Sequence, residues 1–166
     1  MTTYFQFQPP ANAPFAFQPT LDGNQYNATV TWLFWAQRWY VNLFDQFGNR
    51  VLSRAMAESP PLQAISSVAW SDATGAGLVT VVPTVPTVYK PGSLAPLYFY
   101  QNAPAAFNGF QLCAVVNPSV LTYPLASDPG QASALGAFGQ DLSLTSGYFA
   151  STLVWRPSSG NIEVTP

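Results

Sequence analysis

Chemistry at a protein surface needs groups that move protons, attack carbonyls or hold metals, and the candidates here are the carboxylates Asp22, Asp45, Glu58, Asp72, Asp128, Asp141 and Glu163. A glycosidase-type site requires two of them about 5 to 10 Å apart, one protonated and one ionised. Most lie in or beside turn-prone stretches, so the sequence reads them as turn formers whose oxygens accept from nearby backbone N–H groups. Other reactive types are scarce: there is no His, one Cys (Cys113) and one Lys (Lys90). Without His, neither a Ser-His nor a Cys-His nucleophile can be built, and metal sites lose their commonest ligand. Cys113 sits in the apolar run Phe110-Gln111-Leu112-Cys113-Ala114-Val115-Val116, where a free thiol behaves as a small core hydrophobe. Gly75-Ala76-Gly77 lacks the Lys-Ser/Thr tail of a phosphate loop. The expectation is a noncatalytic protein without metal or cofactor.

The densest feature is aromatic: Trp32-Leu33-Phe34-Trp35-Ala36-Gln37-Arg38-Trp39-Tyr40. Trp32 and Trp39 continue the alternation of their strands and read as core, whereas Phe34 and Trp35 fall at the bend between strands and read as interface. Arg38, Arg50 and Arg54 cluster around one hairpin, and Arg is enriched where proteins meet.

These residues stand in a chain of 166 residues with 48% hydrophobic but only 7% charged residues, against about 25% charged in an ordinary soluble domain. Charge keeps lone proteins apart, so a surface that is polar without being charged points to life among other chains. A net charge of -2 leaves no basic stripe for nucleic acid, no apolar run is long enough for a membrane span, and no signal peptide is expected at MTTYFQFQPP.

Sixteen prolines and eleven glycines cut the chain into short segments rich in Val, Thr, Tyr, Phe and Trp, the punctuation of an all-β protein. The expected fold is an antiparallel β-sandwich or partly open barrel built on meanders, with long ordered loops. Residues 1–14 read as an extended arm that docks on another subunit through Phe5 and Phe7, and residues 15–166 as a single β domain. Tyr26, Ala28, Val30 and Trp32 share one face of a strand, as do Trp39, Val41 and Leu43 of the next. Tyr26, Trp32, Trp39, Val41 and Leu43 are therefore the expected core anchors. Asp45-Gln46-Phe47-Gly48-Asn49 turns the chain into a third strand, Arg50 to Met56, completing a unit over 15–58. Ser59-Pro60-Pro61 closes it. The remainder, 59–166, reads as a β extension with strands near Ala64–Trp70, Leu78–Val82, Leu94–Tyr100, Phe110–Val116 and Tyr148–Trp155, and a long loop over about 124–139.

Leu21-Asp22-Gly23-Asn24-Gln25-Tyr26, Val30-Thr31-Trp32, Arg38-Trp39-Tyr40-Val41-Asn42-Leu43-Phe44-Asp45 and Gly48-Asn49-Arg50 together resemble the motifs of a family of small baseplate proteins of contractile-tailed bacteriophages, the plug or ripcord family. The resemblance covers about residues 13 to 60, and none of its motif residues is catalytic. It implies a structural protein of the virion tail baseplate, assembled in the host cytoplasm and held in a symmetric ring. Its partners would be the baseplate hub, tail tube, sheath and copies of itself. The reading from another class is a carbohydrate-binding β-sandwich module that stacks sugar rings on an aromatic platform around Trp35.

Overall fold

The computed structural model describes residues 2–8, 14–72 and 75–166, so residues 1 and 9–13 of the expected arm lie outside the described part. The protein is all-β, with antiparallel sheets throughout. It divides into two compact units, residues 1–61 with 141–166, and residues 62–140. This corrects the expectation of a single domain from residue 15 with everything after 58 as an extension, because the chain returns to the first unit after residue 140.

In the first unit, β2 (Phe15–Phe17), β5 (Asn27–Leu33), β6 (Arg38–Phe44) and β7 (Arg50–Ala55) form one sheet in that order. The expected meander is present, with Val30 opposite Val41 and Ala28 opposite Leu43. Alternation buries Ala28, Val30, Val41, Leu43 and Leu52 on one face. The Asp45 side chain forms the β6–β7 turn by accepting from the N–H groups of Phe47 (2.9 Å) and Asn49 (2.8 Å), as its residue type foretold. The short hairpin β3 (Thr20–Leu21) and β4 (Asn24–Gln25) turns on Asp22 and Gly23, both at positive φ, the geometry of a two-residue primed turn.

The second sheet of this unit was not foreseen. It is β1 (Thr3–Gln6), β15 (Asn161–Thr165) and β14 (Thr152–Arg156), with β15 in the middle. The N-terminal segment is thus extended, but its strand pairs with the chain's own C-terminal strand, Phe5 opposite Ile162. Phe7 is buried and Phe5 half-buried, the latter against Phe17 at 4.7 Å. Both were expected at an interface with another subunit. They serve their own core instead, because period-2 alternation turns Phe5 and Phe7 to one side while Tyr4, Gln6 and Gln8 face out.

The second unit is a closed barrel of β10 (Leu94–Tyr100), β11 (Gly109–Asn117), β12 (Val120–Pro124), β9 (Leu78–Pro83), β8 (Gln63–Ser71) and β13 (Ala137–Gly139). Val79, Val81, Leu97, Phe99, Cys113, Val115, Leu121, Tyr123 and Phe138 fill its interior. The stretch expected as a loop over 124–139 ends in β13, the strand that closes the barrel between β10 and β8. Closure requires Gly136, where a Cβ would collide with the Tyr100 carbonyl.

Candidate docking site on the first unit

The β5–β6 hairpin carries the candidate site. Its strands pair in register out to Leu33 opposite Arg38, and the turn that joins them presents Phe34, 85% exposed, and Trp35, 81% exposed. Rings so exposed contribute nothing to the core. Gln37 completes the turn at a φ of 50°.

Below the tip, Trp32 and Trp39 face each other across the strands, their rings edge to face at 5.4 Å. Trp32 was expected in the core and is 39% exposed. Its face is the one alternation dictates, and it lies near the outer end of β5, two residues beyond Val30, where the pairing with β2 ends. Trp39 and Tyr26 are half-buried at the margin of the core, Trp39 edge-on to Phe7 at 5.3 Å and Tyr26 edge-on to Phe149 at 5.2 Å. Val41 and Leu43 are the fully buried anchors.

Trp32 and Trp39 form one wall of an open groove of about 710 Å³ that continues over Phe7, Met56 and Trp155 to the turn Pro157–Gly160. Its polar lining is Gln8, Gln37, Arg38, Glu58, Ser158 and Ser159. Gly160 lies at φ +67°, the left-handed region that favours glycine, and a Cβ there would come within 3.1 Å of the Gln8 amide. Arg38 and Glu58 are exposed, and their side chains have no hydrogen-bond or ion-pair partner among the described residues. Trp155 is 6% exposed, and its buried indole N–H has no acceptor among the described residues.

Of the other arginines expected at interfaces, Arg50 is exposed beside the β6–β7 turn, outside the groove lining. Arg54 is engaged within its own unit, donating to the Ser146 carbonyl at 3.1 Å and lying over the Tyr148 ring at 5.7 Å. The residue that sequence reasoning passed over is Arg156. It is 1% exposed, its Nη2 lies 2.7 Å from Asp141 and its Nε 3.2 Å from Glu163, and its Nη1 donates to the Pro60 carbonyl. Burial pushes the Glu163 carboxyl above its ordinary range against the opposing pull of Arg156.

The carboxylates divide accordingly. Asp22, Asp45, Asp72 and Asp128 accept from backbone N–H groups in turns or loops, while Asp141 and Glu163 bracket Arg156. No group of three metal-ligating side chains is found among the described residues. No helix is long and apolar enough to cross a membrane among the described residues. Comparison with known proteins finds no family model, no curated protein and no solved structure that matches this chain.

Proposed function

We propose that this chain is a noncatalytic assembly protein of a contractile phage tail baseplate, which docks on neighbouring tail proteins through the tip of its β5–β6 hairpin. The observation that carries the reading is the pair Phe34 and Trp35, both more than four-fifths exposed. They project from a hairpin whose strands are fixed by packing on a core. Large aromatics held out on a rigid scaffold lose little freedom when they bind, and they are the commonest energetic anchors of protein interfaces.

Two further features support it. The chain's 7% charged residues leave its surfaces compatible with close neighbours. On the second unit, Leu94, Phe110, Leu112 and Val116 are about half-exposed or more along the outer side of β10 and β11. Apolar patches of this kind mark surfaces that meet something other than water. The resemblance over residues 13 to 60 supplies the setting, a tail baseplate with hub, tube and sheath as partners.

The test is incorporation into tails in cells that supply the remaining tail proteins, comparing the full chain with a Phe34→Ser/Trp35→Ser variant. Both residues are outside the core, so stability should change by less than about 0.5 kcal/mol per site. The expected result is a folded variant missing from purified tails. Normal incorporation of the variant would overturn the role of the hairpin tip, and absence of the wild-type chain from tails would overturn the assembly reading itself.

A further inference from the structure

We infer that the outer face of β10 and β11 binds a second copy of this chain, the two barrels packing face to face with their strands running in opposite directions. The inference goes beyond the assembly reading and stands without it.

The face is a product of alternation. One set of side chains on each strand fills the barrel, so Leu94, Pro96, Phe110, Leu112, Ala114 and Val116 are turned outward and exposed. Pairing sets Leu94 beside Ala114, Pro96 beside Leu112 and Tyr98 beside Phe110, the last two with ring centroids 5.2 Å apart, so the outward side chains form one continuous apolar surface. Its extent, on the order of 500 Å², is that of the largest patches a monomer leaves in water. Two such faces together bury about 1,000 Å², the low end of specific interfaces, which makes the dimer a reversible one. Apart from the Tyr98 and Tyr100 hydroxyls, these outward side chains carry no hydrogen-bonding group. A sugar or small polar ligand needs such groups to fix its orientation. An extended peptide docks by adding a strand to a sheet edge, and a closed barrel offers no edge. What fits is another broad apolar face.

The placement of charge then selects a copy of the same face. In a two-fold dimer each patch meets itself, which a patch of one charge sign resists; β10 and β11 contain no charged residue. The charged residues of residues 62–140 are Asp72, Lys90 and Asp128, and the topology separates them by sign. Lys90 stands where β10 begins and β11 finishes: its carbonyl accepts from the Ser93 N–H at 3.1 Å, and the Gly92 N–H donates to the Val115 carbonyl at 2.8 Å. Asp72 and Asp128 stand at the opposite end, where β8 and β12 finish. There the Asp72 carboxylate accepts from the Gly77 N–H at 3.1 Å, and the Leu125 N–H, three residues before Asp128, donates to the Gly77 carbonyl at 3.0 Å. Lys90, Asp72 and Asp128 are exposed and form no ion pair among the described residues. A two-fold axis that reverses the strand direction sets the basic end of each copy against the acidic end of the other, whereas a parallel arrangement would bring like ends together.

The test is sedimentation of the full chain at about 20 mM salt, where exposed charges are least screened. The expected result is a dimer at about 100 μM that dissociates on dilution. Leu112→Asp, changed once in each copy, should weaken the dimer at least about 100-fold with the circular dichroism unaltered, and Leu94→Asp on the same face keeps the test informative if Leu112→Asp loses its fold. Lys90→Glu and Asp128→Lys should each weaken it about tenfold, and an equimolar mixture of these two variants should recover the lost affinity as a heterodimer, since one copy is then acidic at both ends and the other basic. The Phe34→Ser/Trp35→Ser variant should dimerise like the wild type. A wild-type chain that is monomeric at 100 μM would overturn the inference, as would Leu112→Asp and Leu94→Asp variants that dimerise normally or a hairpin-tip variant that is monomeric. A mixture of the charge variants no tighter than either alone would overturn the antiparallel arrangement. Incorporation of the hairpin-tip variant into tails is a separate measurement, so the two readings fall separately.

Discussion

The Nη2 of Arg156 lies 2.7 Å from the Asp141 carboxylate, and the same guanidinium takes the Pro60 carbonyl through Nη1. Pro60 stands just before the chain leaves the first unit, and Asp141 is the first residue after it returns. One buried side chain thus holds both crossings, with Ser59 reinforcing them: its N–H donates to the Trp155 carbonyl at 2.9 Å and its hydroxyl accepts from the Leu142 N–H at 2.9 Å. Arg156→Met should cost about 3–5 kcal/mol, because it leaves two carboxylates in a site that has excluded water. Arg156→Lys should not restore the loss, since an ammonium cannot span the three acceptors as a planar fork does. Urea unfolding of the full chain measures both; a near-neutral Arg156→Met would refute the clamp.

Because the two crossings meet at one guanidinium, the second unit should be removable. Replacing residues 62–140 with a short Gly-Ser linker should leave the first unit folded, its β-sheet circular dichroism and cooperative unfolding retained. Combining the excision with Arg156→Met should abolish cooperative unfolding. An excised chain that is unfolded with Arg156 intact would show that the first unit depends on the second.

What was legible in the sequence was local. Alternation placed Ala28, Val30, Val41 and Leu43 correctly because a strand's two faces are fixed by a period of two, and Asp45 announced its turn through its residue type. What alternation does not reveal is how far along a strand the core extends, so Trp32 was read as core although burial on that face fades from Val30 to Trp32. Nor does it reveal pairing between distant segments. β1 and β15 join the two ends of the chain, and Phe7 finds its core only through that pairing. Arg156 carried no pattern at all, since its partners Pro60, Asp141 and Glu163 come from three separate stretches. The strand at Ala137–Gly139 hid in an Ala/Gly/Ser-rich stretch because three residues are too few to show a period. The exposed Phe34 and Trp35 were legible because a turn position is a local property.

Cys113 is fully buried inside the barrel, and burial pushes its thiol up to about 12. Reaction with thiol reagents proceeds through the thiolate, whose fraction at pH 8 is then about one in ten thousand. The native chain should therefore be inert to such a reagent at pH 8, and should react within minutes once unfolded in guanidinium. Rapid labelling under native conditions would mean that the barrel opens on that timescale.

The last prediction concerns Asp22, which ties the β3–β4 turn to the segment before β14. Its carboxylate accepts from the Ser151 N–H at 2.7 Å, the Ser151 hydroxyl at 2.8 Å and the Ala150 N–H at 3.0 Å. The backbone N–H of Ser151 is the chief cause that lowers its pKa below the ordinary 3.8, with the Ser151 hydroxyl and the Ala150 N–H adding to it. A carboxyl whose folded pKa is depressed binds its proton more readily in the unfolded chain, so stability must fall as pH falls. The contribution is present above pH 3.8 and is lost as acidification passes through the lower, folded value. Asp22→Asn keeps the turn residue's size and its tolerance of positive φ but removes the charge that those donors favour. The variant should be less stable than wild type at pH 6, and the gap should narrow steadily below pH 3.8. Thermal unfolding of both proteins from pH 6 to pH 2.5 measures it, and a gap that stays constant over that range would show that the Asp22 charge does not hold the two segments together.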